Sequence, residues 1–470
     1  MSEHKLSRAS LPLVFDGVKT SSGKPEPTAT GVVHLGLGAF HRAHQAMVFD
    51  QLLRQGDSRW GIHGVGMTQP SLVNKLRAQD GLYAVRIAGA TGVEWHVPGA
   101  LWQTSVATTE RQNVLNAIAA KSTRWITLTV TEKGYTPALA QLLIDGLRLR
   151  QAAGEAGLTI ASCDNLQGNG HKLQALIHAT ATAQDAALMQ WVDTHCAFPC
   201  SMVDRIVPAA TDEVAAAAKD ALGLIDDCAL STETFWEWVI EDKFVDPTDG
   251  ALLAQCGVRV TPDVHSYEEA KLRMLNGSHS AMALMGAITG RPYIASCIGA
   301  DHIREFVHRL MSHEVAPHLS RTDWADYRDA LIQRFGNPYL KHSVHQIATD
   351  SSQKIPQRWP PSVLGQIAKG QSFEHHALAA AIFLRYTLAI DEQGHTYTLN
   401  DPQAESLLAI GKTQVADAAG SLKALLSRSD LWGTELPHNT QWFERVAYWH
   451  DQVIHQGVDA TVKFAITLDV

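Results

Sequence analysis

Three polar residues in one predicted helix have the types and spacing for acid–base chemistry on a hydroxyl group. Lys271, Asn276 and His279 follow one another in the segment 268–279. At about 100° per residue they fall at roughly 0°, 140° and 80° around the helix axis, within one arc. A desolvated lysine can act as a base near neutral pH, an amide can donate to a developing alkoxide, and a histidine can position a substrate. A solvated surface helix has the same spacing, so the pattern alone leaves both interpretations open.

A glycine turn stands between a predicted strand and a predicted helix near the N-terminus. The apolar run 30–35 leads into Gly36 and Gly38, and helical periodicity follows from His44 to Arg54. In nucleotide-binding folds the first glycine of such a turn permits a tight bend, and the second lets the backbone approach a pyrophosphate at the helix N-terminus. Ordinary strand-to-helix turns also contain two glycines, and His41 occupies the third fingerprint position.

The residue that distinguishes NAD from NADP is missing from its usual place. A ribose-binding Asp or Glu is expected about 20 residues beyond the glycine turn. No acidic residue occurs between Asp57 and Asp80, and no arginine has an obvious place for a 2′-phosphate. These residues therefore leave the choice between the two cofactors open, and we expect NAD with NADP as an alternative.

The six cysteines predict neither a disulfide framework nor a metal centre. They stand at 163, 196, 200, 228, 256 and 297, without a C-x-x-C pair. The group His195, Cys196 and Cys200 comes nearest to a metal pattern, but its spacing fits no common zinc site. We expect packed cysteines and no bound metal.

The hydrophobic pattern predicts an α/β, Rossmann-type N-terminal domain at 1–262 and a mainly α-helical C-terminal domain at 263–470, with the active site in the cleft between them. Pro262 marks the predicted boundary. Strands are predicted within 30–38 and at 60–65, 82–87, 125–130 and 159–163. Helices are predicted at 44–54, 71–79, 111–120, 137–152, 174–190, 211–222, 266–289, 301–316, 322–335, 374–389, 404–427 and 440–456.

Composition excludes several classes of partner. The formal charge of −9 and the scattered lysines and arginines argue against a nucleic-acid surface. No apolar run approaches the roughly 20 residues of a bilayer span, and residues 1–15 lack the pattern of a signal peptide. We expect a cytoplasmic protein that binds a small molecule; its oligomeric state stays open, with a monomer plausible.

Seven motifs in a fixed order carry a resemblance to a known family. They are VVHLGLGAFHRAHQ (32–45), TLTVTEKGY (127–135), SCDNLQGNG (162–170), FPCSMVDRIVPA (198–209), WVIEDKF (238–244), KLRMLNGSHS (271–280) and SSQKIPQR (351–358). Over nearly its whole length the chain resembles the polyol-specific long-chain dehydrogenases, the mannitol dehydrogenase and fructuronate reductase family.

The resemblance implies a role for each motif residue. Lys271 is the expected general acid/base of a zinc-independent reaction, Asn276 and Asn165 the expected donors to the oxyanion, and His279 a substrate contact. Asp204 and Arg205 are expected near the substrate. The expected cofactor contacts are Gly36, Gly38, Ala39, Phe40, His41, Arg42, Thr131 and Glu132.

The segment 342–358 resembles the fructuronate reductase (mannonate oxidoreductase) branch more than the mannitol dehydrogenases. A hexonate carries a carboxylate, which favours a site with cationic donors. His342, Lys354 and Arg358 are the candidates, although a basic surface turn has the same composition. The short segment after Tyr135 and the sequence Gly64–Met67 depart from the reductase pattern.

These observations predict an NAD(P)-dependent oxidoreductase that interconverts a secondary alcohol and a ketone on a sugar acid, D-fructuronate and D-mannonate first. The alternative is a polyol 2-dehydrogenase of the mannitol/fructose or arabinitol type. A third hypothesis is an inactive nucleotide or sugar sensor. The presence of Lys271, Asn276, His279 and Asn165 argues against it.

Overall fold

The computed structural model describes residues 4–21, 29–89, 92–339 and 341–468. They belong to two compact units, Met1–His265 and Ser266–Val470. The first unit is α/β and the second is mainly helical, which confirms the predicted fold class. Among the described residues, no helix combines the length and apolar character needed to cross a membrane.

A five-stranded parallel sheet forms the main layer of the first unit. In sheet order its strands are Leu101–Val106, Gly61–Gly66, Thr30–Leu35, Trp125–Leu128 and Thr159–Ser162. Val32 packs with Phe49 in the apolar cluster on one face, whereas Val33 packs with Leu143 on the other. Both faces are therefore covered, which explains the continuous apolar runs by which these strands were predicted.

The helices of the first unit cover this sheet and extend beyond it. Their bounds are Ala39–Ala43, Gln45–Arg54, Pro70–Arg77, Arg111–Ala119, Pro137–Ala152, Asn169–Thr180, Ala186–His195, Asp212–Leu222 and Asp249–Gln255.

Two smaller sheets contain the other strands that the structure describes in the first unit. One has the order Lys19–Thr20, Gly92–Val97, Val85–Gly89, Leu230–Glu233, and the other Arg259–Thr261, Glu237–Glu241, Ser201–Asp204. The strand predicted at 82–87 forms, but it pairs antiparallel with Gly92–Val97 rather than joining the parallel sheet. Gly92–Val97 was not predicted because most of its side chains are exposed or half-buried, so it lacks an apolar run.

The second unit is built around a buried helix. Gly277–Thr289 is buried at every position from Gly277 to Ile288, and Glu374–Tyr386 packs against it. The helical segments are His265–Ala270, Lys271–Asn276, Gly277–Thr289, Ile294–Ile298, Asp301–Arg309, Leu310–Val315, Trp324–Phe335, Val344–Ala348, Ser351–Arg358, Pro360–Ala368, Glu374–Tyr386, Ala404–Thr413, Ala418–Leu426, Ser429–Trp432, Thr440–Gln456 and Val458–Ala465.

Two long predicted helices are each divided by a capping residue. The helix predicted at 174–190 breaks at Thr182, whose backbone N–H donates to the Asp185 carboxylate over 2.9 Å in a capping box. The helix predicted at 404–427 breaks before Asp417, which accepts from the Gly420 N–H over 2.8 Å. Apolar periodicity continues across both breaks, so only the capping chemistry could have located them.

Candidate active site

The glycine turn lies where the strand order of the parallel sheet reverses. From Thr30–Leu35 the chain adds strands on one side, through Gly61–Gly66 to Leu101–Val106, and then crosses to Trp125–Leu128 on the other. In open α/β sheets, ligands bind beyond the carboxyl ends of the strands at such a reversal. Gly36 directly follows Thr30–Leu35, one of the two strands on either side of this reversal.

Backbone geometry requires the first glycine of the turn. Gly36 has φ +96°, and a Cβ there would lie 2.2 Å from the Thr129 carbonyl oxygen. The N–H groups of Gly36 and Leu37 both donate to the Val65 carbonyl over 2.9 Å. At Gly38 the nearest described atom to an added Cβ is the Gly36 oxygen, at 3.6 Å. The turn is thus fixed by its neighbouring strands, and space remains beside Gly38 for a ligand.

The side chains that follow the glycines turn into the protein core. His41 is buried and stacks on His34, with ring centroids 3.3 Å apart, and burial holds the pKa of both imidazoles well below its usual range. Arg42 donates to the carbonyls of Cys228, over 2.6 Å, and Gly38, over 3.3 Å. Phe40 is partly buried against the same core. Of the predicted cofactor contacts, His41 and Arg42 therefore place their side chains where they support the turn.

An aspartate that the sequence argument missed supports the predicted contact Thr131. Thr131 has φ +65°, a region that favours glycine, and its N–H donates to Asp164 over 2.7 Å. The Tyr135 hydroxyl donates to the other Asp164 oxygen over 3.2 Å. Burial raises the pKa of the Asp164 carboxyl to about 6, against these hydrogen bonds. Glu132 and Asn165, which directly follow Thr131 and Asp164 in the sequence, are both exposed.

The predicted residues Asp204 and Arg205 are both buried. Asp204 ends the strand Ser201–Asp204. The Arg205 guanidinium donates to the carbonyls of Ala43 and Glu233, and burial lowers its pKa to about 10. Arg205 therefore links the end of the helix Ala39–Ala43 to a neighbouring strand.

In the second unit, the candidate base lies in a π-helical turn. Lys271–Asn276 is π-helical and joins His265–Ala270 to Gly277–Thr289, and we call the three segments together the lysine helix. The angles around the helix axis that α-helical geometry predicted for Lys271 and Asn276 are wrong. In a π-helix the hydrogen bonds join residues i and i+5, so Asn276 lies about one turn beyond Lys271 along the helix. Lys271 and Asn276 are both half-buried. The π-turn thus places the base and the amide on the same side of the helix.

Two side chains from a neighbouring segment stabilise the end of this π-turn. Arg358 donates to the Asn276 carbonyl over 3.0 Å and to the Ser280 hydroxyl over 2.6 Å. Trp359, fully buried, donates to the Gly277 carbonyl over 3.1 Å. A Cβ at Gly277 would lie 3.6 Å from the nearest atoms of this segment, so close packing does not require glycine there.

His279 is a buried imidazole with an unsatisfied nitrogen. Only 6% of the residue is exposed, and within the described part of the chain nothing hydrogen-bonds its Nε2. Its ring packs between Phe335, at 5.2 Å, and His342, at 5.0 Å. Burial holds its pKa well below the usual range, and the next largest effects come from four basic side chains, His342, Arg358, Arg334 and Lys354. His279 is therefore neutral at pH 7, and the positive charge around it comes from Arg358, Arg334 and Lys354.

The predicted basic block at 342–358 forms two short helices. Burial and the charge of Arg334 lower the pKa of His342 to about 4. The Lys354 ammonium donates to the carbonyls of Ile347, over 3.1 Å, and Thr349. Arg334, buried near the end of its helix, was not predicted because it lies outside the recognised motifs.

A cavity of ≈ 540 Å³ opens beyond the carboxyl ends of three strands of the parallel sheet. Its lining includes Thr68, Arg111 and Lys133 and contains no acidic residue among those described. The residues that directly follow the strands and line it are Met67, Thr68, Ala107, Thr108, Val130 and Thr131. A larger cavity, ≈ 920 Å³, lies beside Ala29 and Thr30, where the first strand begins, away from the glycine turn.

The sequence matches two family models in succession. They are the mannitol dehydrogenase Rossmann domain, over residues 30–249, and the mannitol dehydrogenase C-terminal domain, over residues 263–454. The chain belongs to the mannitol dehydrogenase family. It is therefore an oxidoreductase that acts on CH–OH groups.

Members of the mannitol dehydrogenase family with different names match the chain. D-mannonate oxidoreductase of Escherichia coli (strain K12) is 37% identical over 458 residues, 91% of this chain and 93% of that protein. Mannitol 2-dehydrogenase of Phaeosphaeria nodorum is 34% identical over 472 residues, 93% of this chain and 81% of that protein. Sugar-acid and polyol names both occur, so membership of the family leaves the substrate unassigned.

Solved structures share the fold along the whole chain. The mannitol 2-dehydrogenase of Pseudomonas fluorescens, in ternary complex with NAD and D-mannitol, is 29% identical with a TM-score of 0.84 and covers 98% of this chain and 99% of its own. A D-sorbitol dehydrogenase in substrate-free form is 28% identical with a TM-score of 0.87 and covers 98% of this chain and 100% of its own.

Proposed function

We propose that this protein is an NAD(P)-dependent dehydrogenase that interconverts a secondary alcohol and a ketone on a sugar acid, with D-mannonate and D-fructuronate as first candidates. The observation that carries the proposal is the buried, unsatisfied Nε2 of His279 near three cationic side chains, Arg334, Lys354 and Arg358. A carboxylate gains from that positive potential, whereas a neutral polyol does not. The name of the E. coli relative, D-mannonate oxidoreductase, supports the same substrate class.

Three residues of the lysine helix, together with Asn165, have proposed roles in the reaction. In oxidation, Lys271 in its neutral form takes the hydroxyl proton, and in reduction its ammonium returns it. Asn276 and Asn165 donate hydrogen bonds to the oxygen that becomes the carbonyl. His279, neutral in its buried position, hydrogen-bonds the substrate through Nε2. The nicotinamide, when bound, accepts or returns the hydride.

The residues of the first unit fit a dinucleotide. We propose that the pyrophosphate lies against the backbone of Gly36 to Ala39 and that the adenosine occupies the ≈ 540 Å³ cavity. Thr68 follows the second strand, where NAD-specific enzymes carry a ribose-binding acid. Because Arg111 and Lys133 line the same cavity and no described lining residue is acidic, we propose that NADP is accepted beside NAD.

A substrate panel tests the proposed function. Mannonate, fructuronate, mannitol, fructose and arabinitol are each assayed with NAD(H) and NADP(H) after treatment with a chelator, and reduced nicotinamide is followed by absorbance. We expect turnover of the carboxylated pair with kcat/KM at least tenfold above that of the neutral polyols. Equal or better turnover of the polyols would overturn the sugar-acid assignment.

The second candidate function, a polyol 2-dehydrogenase, rests on its own observation. Lys354 and Arg358 already donate to backbone carbonyls, which leaves fewer of their N–H groups for a carboxylate. The P. fluorescens structure holds D-mannitol, and the P. nodorum relative is named mannitol 2-dehydrogenase. In the panel above, this function predicts turnover confined to mannitol, fructose or arabinitol.

A substitution at Thr68 tests the proposed cofactor range. Thr68→Asp places a carboxylate at the end of the second strand, where it can accept from a ribose 2′-hydroxyl and repels a 2′-phosphate. We expect NADPH affinity to fall at least tenfold while NADH affinity stays the same or rises. Both affinities are measured by nucleotide fluorescence, which does not depend on turnover.

The matched control adds the same charge outside the cavity. Thr109 is exposed and does not line the cavity, so Thr109→Asp should change the two affinities by similar, small factors. If Thr68→Asp left NADPH affinity unchanged, the 2′-phosphate would not lie beside Thr68.

A further inference from the structure

Three metal-binding side chains from distant parts of the sequence meet in the first unit. His171 lies in the first turn of Asn169–Thr180, Cys200 directly precedes the strand Ser201–Asp204, and Glu241 ends the strand Glu237–Glu241. One nitrogen, the sulfur and one carboxylate oxygen of these residues all lie within 4.8 Å of one another. Within the described ranges, side chains of this kind converge in a group of three only here.

The backbone holds Cys200 and Glu241 opposite each other. The two strands pair antiparallel, with Ser201 beside Ile240. Beyond this pair the Glu241 N–H donates to the Cys200 carbonyl over 2.9 Å, and the Cys200 N–H donates to the Glu241 carboxylate over 3.0 Å. The second bond orients the carboxylate, as outer-shell hydrogen bonds orient metal ligands.

The helix that carries His171 is clamped to the segment that carries Cys200. A Cβ on Gly170 would lie 2.7 Å from the carbonyl oxygens of Phe198 and Pro199, so only glycine permits this approach. The Asn169 side chain donates to the Ser201 carbonyl over 2.7 Å and accepts from the Ser201 N–H over 2.9 Å. The backbones beneath the imidazole and the thiol are therefore fixed relative to each other.

We propose that His171, Cys200 and Glu241 bind a divalent cation of the zinc class, with water as the fourth ligand. Thiolate, imidazole and carboxylate are all ligands of tetrahedral zinc, and the sulfur favours zinc or cobalt over magnesium or calcium. Tetrahedral zinc bonds place neighbouring ligand atoms about 3.3–3.8 Å apart, so separations of up to 4.8 Å must close by at most about 1.5 Å. Rotation of the exposed His171 side chain adjusts its distances to the other two ligand atoms. On binding, the Cys200 thiol loses its proton to solvent.

The proposed ion cross-links one helix and two strands, and it takes no part in the proposed hydride transfer. The Asn169 side chain also donates to the Asp164 carbonyl over 2.9 Å, so the cross-link reaches the segment that contains Asn165. Because a ligand that binds only the folded state stabilises it, zinc should raise the melting temperature of the protein.

Cobalt(II) titration of the chelator-treated, full-length protein tests the site. A thiolate ligand gives a cobalt charge-transfer absorption in the near ultraviolet, and tetrahedral coordination gives intense visible bands. We expect both signals to saturate at one cobalt per chain and to disappear when zinc is added. Neither readout depends on dehydrogenase activity, so failure here is distinct from failure of the proposed function.

Variants identify the ligands. Cys200→Ser should abolish the charge-transfer band, and His171→Ala, at an exposed position, should weaken cobalt binding at least tenfold. Cys256→Ser, at another buried cysteine of the same unit, is the matched control and should leave the titration unchanged. Absence of a thiolate band in the unsubstituted protein, or a band that persists in Cys200→Ser or is unaffected in His171→Ala, would overturn the proposal.

Discussion

Lys271 carries the proton transfer of the proposed reaction, and its replacement separates that step from nucleotide binding. Because general acid/base catalysis contributes about 10²–10⁴ in rate, Lys271→Ala should lower kcat by about a thousandfold. NADH affinity, measured by fluorescence, should stay within about twofold, because no predicted cofactor contact lies on the lysine helix. Lys412→Ala, at an exposed helix position, is the control. A variant at position 271 with near-normal kcat would rule out this base.

Residues within one motif could be predicted from the sequence, and residues that act together across distant segments could not. Lys271, Asn276 and His279 occur within nine positions, so their type and spacing were visible. The directions of the side chains could not be predicted. Arg42, for example, donates to the Cys228 carbonyl, a partner 186 positions away. The sequence spacing grouped Cys200 with His195 and Cys196, whereas the structure places Cys200 beside His171 and Glu241, from two other segments.

At the scale of the element, the π-turn Lys271–Asn276 depends on donors from outside its own helix. Arg358→Met keeps most of the side-chain volume but removes the bonds to the Asn276 carbonyl and the Ser280 hydroxyl. Because Asn276 then loses its fixed position, we expect kcat to fall about tenfold for charged and neutral substrates alike, a loss of about 1.4 kcal/mol in transition-state stabilisation. KM should rise for mannonate alone, because one positive charge near the substrate carboxylate is removed. Steady-state kinetics with mannonate and mannitol measure both values.

The same experiment distinguishes positioning from direct substrate contact. If Arg358 instead bound the substrate carboxylate, KM for mannonate would rise while the mannitol kinetics stayed unchanged. Arg304→Met, which removes a surface arginine paired with Asp301, is the control and should leave both substrates unaffected.

Elements with strong periodicity were predictable, and those stabilised by distant partners were not. Pro137–Ala152 and Thr440–Gln456 begin and end where the sequence predicted. The lysine helix was predicted as helical throughout. Its π-turn could not be predicted, because Arg358 and Trp359, which stabilise it, lie more than 80 positions away and local periodicity contains no information on them. Val344–Ala348 and Ser351–Arg358 were missed because they are short and polar.

For the molecule as a whole, acid stability should depend on a buried carboxylate in the second unit. Glu314 is fully buried and accepts from the backbone and ring N–H groups of His375 and His376, in four bonds of 2.6–2.9 Å. Although burial acts to raise its pKa, the charge of His375 and these bonds hold it at about 2. A carboxyl group whose pKa is lowered by folding stabilises the folded state at pH values above its pKa in the unfolded chain. For Glu314 that contribution is lost as the pH falls from about 4.5 towards 2.

Glu314→Gln tests this dependence. An amide replaces one accepting oxygen with a donor, so we expect a loss of about 3 kcal/mol in unfolding free energy at pH 7. The difference from the unsubstituted protein should shrink as pH falls below 4.5, as measured by urea unfolding followed by circular dichroism. Glu405→Gln, at an exposed position, should change stability by less than about 0.5 kcal/mol. A difference that stayed constant down to pH 3 would contradict the linkage.

The strand order of the parallel sheet also constrains when the first unit can fold during translation. Thr30–Leu35, the first of its strands to leave the ribosome, pairs with Trp125–Leu128 on one side, and Lys5 pairs with Ile225. At about 5–20 residues per second, roughly 10–40 seconds separate synthesis of the first strand from that of residue 225. During this interval the nascent chain exposes an apolar strand without all its partners. Ribosome-bound chains stalled before residue 128 should therefore bind chaperones, and chains stalled well beyond residue 265 should release them.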